Sequence, residues 1–432
     1  MKDYKILWIA NNPCSSTERG GGKTVTGGWH SALEAEIRDK VHLSIAFLSS
    51  GQKEEDFIHK GVTYHSINPF ASRNYFLFRM KRLLMPQRLQ DKAILTRIRE
   101  IIHLESPDLI HIHGTERCFG MICPQDRSGM YLLDEKRIPV LISIQGLMGA
   151  IKENFFRGLP QSSFRKYESL ESKLRKQSAL RLYREFSQRA ETEKAILHRA
   201  AFICGRTNWD FRETAKFNSS RKYFKVGEIM RAPFYGRQWQ PHGNQHTFTI
   251  VSTLSTGPYK GIDLLLKTAA KLQEENFPFR WLVIGYGKDN DYVRVARKQL
   301  GLDPEACGVE FLGKMDAEGV ASTLLEGDVF CQVSHIENSP NSVCEAMLLG
   351  MPVVATNVGG TASIVTDGKD GILVEDARED LMSQAVKTLA SDSGLALTLS
   401  SEARKTALAR HDPSTVSAEV LSVYREILGA IF

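Results

Sequence analysis

Two glutamates eight positions apart, Glu337 and Glu345, bracket Asn338-Ser-Pro-Asn-Ser-Val-Cys344, and Ala-Met-Leu-Leu-Gly350-Met-Pro-Val-Val-Ala355 follows the second. Ser339 suits a helix N-cap and Pro340 a first helical position, where a missing N–H costs nothing. Gly350 suits the left-handed residue that ends a helix, and Pro352 the exit. The spacing predicts a helix over 340–349 and a buried strand over 353–355. The free N–H groups of Asn341 and Ser342 then point out of the helix start, where an anion gains up to about 2 kcal/mol. A pyrophosphate fits there. Glu345 can accept from vicinal ribose hydroxyls, and Glu337, in the loop before the helix, from sugar-ring hydroxyls. The alternative is that Glu337 assists the helix N-terminus and Glu345 is an exposed helix acid.

A second set of titratable groups lies on Leu109-Ile-His111-Ile-His113-Gly114. Alternation along a strand puts both histidines on one face. His113, at the strand end, is expected to reach a cleft; a hydrogen-bonded core histidine is the competing reading. Gly20-Gly-Gly22-Lys23-Thr24 lacks the first glycine of a phosphate-binding P-loop, since Thr17 stands there. Asp289-Asn-Asp291 has the form of a metal-binding DxD, but its place between a strand and a helix favours capping. Gly285-Tyr-Gly287 is too short for a dinucleotide fingerprint. The seven cysteines form no CxxC pair and read as reduced, mostly buried thiols, with no metal site.

The elements that must position these groups alternate. Apolar runs at 5–10, 41–48, 109–113, 140–144 and 201–204 read as buried strands between helical stretches. After Arg231-Ala-Pro-Phe234, a linker, the pattern repeats at 247–253, 281–284, 309–312, 329–333, 353–355 and 371–374. This order argues for parallel, doubly wound sheets whose ligands bind outside the carboxyl ends of the strands. Residues 77–102 read as a basic helix and 163–200 as one or two long helices. The amphipathic stretch 414–428 is expected to cross back and brace the first half. Residues 1–232 carry 39 Lys+Arg against 25 Asp+Glu, and 233–432 carry 17 against 25. A basic half facing something anionic is therefore joined to an acidic half. No apolar run is long enough to span a bilayer. The first apolar run reads as a strand rather than a signal peptide. No nucleic-acid-binding module appears.

Glu337-x7-Glu345 with the following Ala-Met-x-x-Gly-x-Pro-Val-Val-Ala resembles the signature of the family-4 retaining glycosyltransferases. Thr356-Asn-Val-Gly359-Gly360, Val365-Thr-Asp367-Gly368 and Gly371-Ile-Leu-Val374 continue that pattern. The likeness extends over nearly the whole chain and is strongest over 247–375. It implies an α/β fold of the GT-B type, two Rossmann-like doubly wound parallel-sheet domains facing a cleft. On that basis 1–232 is the acceptor domain, 233–412 the nucleotide-sugar donor domain, and 413–432 a C-terminal helix on the first domain. The resemblance implies that Glu337 contacts the donor sugar near the reacting carbon, that Glu345 binds the ribose, and that the amides of Asn341 and Ser342, next to Ser339, touch sugar and phosphate. Pro340 replaces a usual glycine. Val251–Lys260-Gly261 resembles the loop whose lysine clamps the donor diphosphate. The family's upstream arginine is absent, so Lys260 carries more of that charge or a residue such as Arg206 substitutes. Gly27-Gly28-Trp29 resembles the Gly-Gly turn where backbone approaches the donor. Gln145 stands where many relatives carry His, so that position cannot titrate; Gln145 and Arg206 are candidates for the acceptor side of the cleft.

The implied activity is metal-independent, retaining transfer of a hexosyl unit from a nucleoside diphosphate sugar to a saccharide or lipid-linked saccharide, with Glu337, Lys260 and His113 as catalytic candidates. No cofactor is expected, because the nucleotide sugar is a substrate. The expected setting is cytoplasmic. The basic stretch 79–99 offers an anionic inner membrane face a docking surface. A sugar-nucleotide epimerase of the same fold and a non-catalytic nucleotide-sugar-binding subunit are the competing readings.

Overall fold

The computed structural model describes residues 4–16, 28–175, 177–243 and 247–429. The first sheet runs in the order Asp56–His59, Val62–Ile67, His42–Leu48, Lys5–Ala10, Leu109–His113, Lys136–Ser143, Phe202–Gly205, Lys222–Lys225. All pairs on this path are parallel except the outermost hairpin. Met130–Leu133 pairs antiparallel with Lys136–Ser143. The second sheet is parallel throughout, in the order Val309–Gly313, Phe279–Ile284, Phe248–Thr253, Val329–Gln332, Val353–Thr356, Ile372–Val374. Its central strands are covered on both faces, which is why they read as unbroken apolar runs.

Strand order reverses beside Lys5–Ala10 in the first sheet and beside Phe248–Thr253 in the second. A crevice opens outside the carboxyl ends at each such switch point. In the second sheet Phe248–Thr253 and Val329–Gln332 are hydrogen-bonded neighbours. The loops that leave their ends, 254–261 and 333–340, must therefore meet.

Two exchanges tie the lobes together. The helix Pro413–Gly429 returns to the first lobe, as expected, and buries Val416, Val420 and Tyr424 among Trp8, Leu33 and Ile37. Tyr424 Oη accepts from Trp8 Nε1 at 2.9 Å and bonds His111 Nδ1 at 2.7 Å. In the opposite direction, Phe155, Leu159, Phe164 and Ala179 are buried in the second lobe's core with Tyr259, Ile262 and Tyr292. The expected helix over 77–102 is two helices, Tyr75–Leu84 and Gln87–Glu105, broken at Met85-Pro86. The polar stretch 163–200 divides into Gln161–Tyr167, Leu170–Leu174 and Ala179–Arg199, the last two capped by Ser169 and Ser178. Among the described residues no helix is long and apolar enough to cross a membrane.

Candidate functional site

The loop leaving Phe248–Thr253 ends in a short turn, Pro258–Lys260, and enters the helix Ile262–Glu274 through Gly261 at φ 82°. A Cβ at Gly261 would lie 1.8 Å from the Val333 carbonyl oxygen, so only glycine lets the two loops approach. Their approach brings Lys260 Nζ to 2.7 Å from Glu337 Oε1, which also accepts from Ser334 Oγ at 2.8 Å. Burial alone would lower the Lys260 pKa; the Glu337 carboxylate more than reverses this and holds the ammonium above the usual lysine range.

Gly359 and Gly360 wrap the backbone on either side of Glu337. Gly360 N–H donates to the Glu337 carbonyl at 2.9 Å. A Cβ on Gly359 or Gly360 would stand 1.9 Å from the carbonyl oxygens of Glu337 and Asn338 respectively. Asn338 crosses to the first lobe: its Nδ2 donates to the Gln145 carbonyl at 3.1 Å, and its Oδ1 accepts from Thr207 Oγ1 at 3.2 Å. Gln145 Nε2 stands 3.1 Å from His30 Nε2.

The next helix, Asn341–Leu349, starts one residue later than its spacing predicts. Pro340 takes the cap position and Ser339 makes no cap; its hydroxyl donates instead to Glu228 Oε1 at 2.6 Å. The first amides, those of Asn341 and Ser342, have no intrahelical acceptor, as at any helix start. Arg206 pairs with the other Glu228 oxygen, and its guanidinium stacks over Trp29 at 4.4 Å. Glu345 is not an exposed helix acid. It is buried and paired through both oxygens, at 2.7 Å each, with Nε and Nη2 of Arg231. Burial raises its pKa and Arg231 opposes that rise. A Cβ on Gly28 would meet Arg231 Cγ at 2.8 Å, so the first lobe's turn packs on this pair. Gly27 lies outside the described residues.

The structure thus gathers Lys260, Gly261, Glu337, Ser339, Asn341, Ser342, Glu345, Gly28, Gln145 and Arg206 around one segment. Arg231, read from sequence as part of a linker, belongs there too. Local spacing carries no signal of it, because its partner Glu345 lies 114 residues further along the chain. His113 does not reach the cleft surface. It is 1% exposed, between Trp8, Trp29, His30 and His111, and neither ring nitrogen has a partner among the described residues. Burial, with His111 and His30 adjacent, holds its pKa well below the usual imidazole value. The bulky rings on neighbouring strands close over the face that alternation gave it. In Asp289-Asn-Asp291, Asn290 caps the helix and Asp291 Oδ2 accepts from Ser169 Oγ at 2.7 Å. All seven cysteines are buried and unpaired by disulfides.

Residues 245–392 match the family model described as glycosyl transferases group 1. The phosphatidyl-myo-inositol mannosyltransferase of Mycobacterium tuberculosis is 29% identical over 182 residues, which are 40% of this chain and 45% of that protein. The D-inositol 3-phosphate glycosyltransferase of Kribbella flavida is 31% identical over 147 residues, 32% of this chain and 34% of that one. The chain thus spans less than half the length of these curated relatives. Among solved structures, sucrose-phosphate synthase from Thermosynechococcus elongatus matches with a TM-score of 0.70 at 16% identity, over 98% of this chain and 99% of that one. HepE of Anabaena, solved in complex with UDP and glucose, matches with a TM-score of 0.64 at 15% identity, over 98% and 99% of the two chains. Two doubly wound sheets with their switch-point crevices make this a chain of GT-B fold, and the segment of its second lobe that holds Lys260, Glu337 and Glu345 is similar to the glycosyl transferases group 1 domain.

Proposed function

We propose that the chain is a retaining hexosyltransferase acting from a nucleoside diphosphate sugar, with neither a metal ion nor a cofactor. The observation that carries this reading is the Lys260–Glu337 pair, 2.7 Å apart, at the carboxyl-end crevice of the second sheet beside the open helix start at Asn341. The relatives' names support a glycosyl donor, and the HepE complexes with UDP and UDP-glucose support a nucleotide one.

The chemistry is electrostatic. As the anomeric bond breaks, charge builds on the departing diphosphate. Lys260 and the amides of Asn341 and Ser342 stabilise it there. When Lys260 turns to the diphosphate, Glu337 is released to accept from the sugar's hydroxyls and orient the ring. Glu345 takes the ribose. Attack on the face the diphosphate leaves lets a phosphate oxygen take the acceptor's proton, and the outcome is retention. His113, buried and neutral, has no part in these steps. Gln145 and Arg206 line the acceptor side. The acceptor is a saccharide or lipid-linked saccharide. Tyr75–Leu84, which exposes Tyr75, Phe76, Leu77, Leu83 and Leu84 beside Arg79, Lys81 and Arg82, is the surface we propose for an anionic cytoplasmic membrane face. We place the lobe boundary at 232/233 and the crossing helix from 413.

The test is a thermal-shift and turnover screen over common nucleotide sugars with the parent, Lys260→Ala, Glu337→Ala and Glu345→Ala. Lys260→Ala is expected to cut turnover by roughly two orders of magnitude or more. If all three variants bind and turn over donor as the parent does, the assignment is wrong.

A further inference from the structure

Glu116 stands three residues past the strand Leu109–His113, at the first sheet's own switch point. Its carboxyl folds back over the strand end: a Cβ on Gly114 would lie 2.0 Å from Oε2 and one on Gly146 4.0 Å from Oε1. Gly146 follows Gln145, whose carbonyl accepts from Asn338, the neighbour of Glu337. The carboxyl therefore lies beside a glycine one residue removed in sequence from the Gln145–Asn338 contact between the lobes. Its Oε2 is shut from solvent and has no hydrogen-bond partner among the described residues.

Glu116 also lines a cavity of about 430 Å³ between the helices Gln87–Glu105 and Ala179–Arg199, with Arg88, Asp91, Arg117, Glu185 and Arg189. The formal charges on these walls balance, but the pairing does not. Glu185 lies 3.0 Å from Arg181 and 4.0 Å from Arg189. Asp91 accepts from Gln87 at 2.8 Å. Arg88 and Arg117 make no ion pair among the described residues. Burial, and the nearby Arg117 guanidinium, hold Arg189 below the usual arginine value. Two guanidinium groups thus line the same cavity as a carboxyl that burial drives toward its neutral form. Pro86 and Gln87 form the rim of the cavity, directly after the helix whose Leu83 and Leu84 are about 60% exposed.

We propose that this cavity is the acceptor pocket and that the acceptor is a saccharide joined through phosphate to a lipid, an inference that rests on the transfer reading above. Arg117 and Arg189 take the phosphate oxygens, Arg88 closes over them, and Glu116 accepts from a hydroxyl of the sugar. The lipid leaves past Pro86 along the apolar face of Tyr75–Leu84. Paired guanidinium forks suit phosphate, and the Glu116 carboxyl, through Oε1 rather than the enclosed Oε2, suits a sugar hydroxyl.

The experiment is calorimetry on the full chain saturated with whichever of UDP, GDP or ADP it binds, so that the donor site is filled. The probes are glucose linked through diphosphate to a geranyl chain, glucose 1-phosphate, and methyl glucoside. The geranyl probe is expected to bind the parent, and methyl glucoside to bind at least about tenfold more weakly. Arg117→Ala and the exposed Arg88→Ala are each expected to weaken the geranyl probe by about tenfold with nucleoside diphosphate binding unchanged. Glu116→Ala tests the hydroxyl contact in the same way. Leu83→Ser with Leu84→Ser weakens only the geranyl probe. Parent-like binding by both arginine variants overturns the pocket. Glucose 1-phosphate binding as tightly as the geranyl probe overturns the lipid link. Failure of the donor reading looks different: no nucleoside diphosphate binds at all.

Discussion

Phe155 belongs to the first half of the chain, yet it is fully buried in the second lobe's core. Its ring sits 4.9 Å from Phe156, 5.5 Å from Tyr183, 5.6 Å from Phe186 and 5.9 Å from Tyr259. Tyr259 precedes Lys260, and its carbonyl accepts from His335 N–H at 2.8 Å. Removing the ring should therefore loosen the donor loop as well as the core. Phe155→Ala leaves a cavity the neighbouring rings fill only in part, at a cost of about 4 kcal/mol. At about 2 °C per kcal/mol for a chain of this size, the melting temperature falls by about 8 °C. The control is Phe119→Ala, an equal truncation in a core built wholly from first-lobe residues. Hydrogen exchange separates the two: Phe155→Ala speeds exchange in Phe248–Thr253 and the loop after it, and Phe119→Ala speeds it in Leu109–His113. Nucleoside diphosphate affinity falls about tenfold, equivalent to about 1.4 kcal/mol, in the first variant alone. If both variants loosen only the first sheet, the segment around Phe155 is not part of the second lobe's core and the coupling to Lys260 is refuted.

Three further outcomes follow from particular contacts. Gly261→Ala forces φ 82° on a residue with a side chain and sets its Cβ 1.8 Å from the Val333 oxygen. It should cost more than about 2 kcal/mol of stability, and an unchanged melting curve would refute the need for glycine there. Glu193 is buried, accepts from Thr115 Oγ1 at 2.6 Å and Gly149 N–H at 2.9 Å, and is pushed by burial from 4.5 up to about 7. Below pH 4.5 both folded and unfolded carboxyls are protonated; as pH rises toward 7 the folded state alone keeps its proton, so stability falls across that window. Glu193→Gln should flatten the decline, and parallel pH–melting curves would contradict the assignment. Tyr424→Phe strands Trp8 Nε1 and His111 Nδ1 without their shared partner and should cost about 1–3 kcal/mol by chemical denaturation, whereas a loss near zero would mean the crossing helix is held by its apolar face alone.

The second lobe was the more legible in sequence because its parallel strands are buried on both faces and its helix ends carry glycine and proline punctuation. Ile250, Trp281, Val329 and Val353 show as apolar runs for that reason. Strands with mixed faces were missed. Asp56–His59 and Lys222–Lys225 are edge strands with exposed polar residues, and Val62–Ile67 interleaves Thr, His and Ser with its apolar residues. The segment around Glu337 was readable because helix start, carboxylates and exit lie within one stretch of chain. Arg231, Glu228 and Thr207 were not, because each acts across the lobe crossover and local spacing holds no record of a partner more than a hundred residues away. His113 shows the same limit from the other side. Its strand face was correctly inferred, but whether that face is open depends on Trp8 and Trp29 from other elements.

The absent upstream arginine gains a physical answer from the charges that are present. Around the segment 337–345 the carboxylates of Glu337, Glu345 and Glu228 each face one cation, Lys260, Arg231 and Arg206. Each of these three positive charges is held by a carboxylate. An arriving diphosphate competes with carboxylates already in place, so the cost of binding includes parting those pairs. On the transfer reading the gain is that Lys260 is held within reach of the crevice and that Glu337, once released, becomes an acceptor for a sugar hydroxyl. Lys260 differs from the two arginines in this respect. Its partner is a single oxygen already shared with Ser334, whereas Arg231 holds Glu345 through two bonds. A point charge on a flexible stem leaves one acceptor for another more readily than a planar fork leaves a carboxylate. On the transfer reading proposed above, Lys260 is the cation that moves to the diphosphate, and Arg231 the one that stays to fix Glu345. Replacing Lys260 by Arg should tighten the resting pair with Glu337 and slow turnover while leaving the charge unchanged, and a Lys260→Arg enzyme as fast as the parent would show that re-partnering is not required.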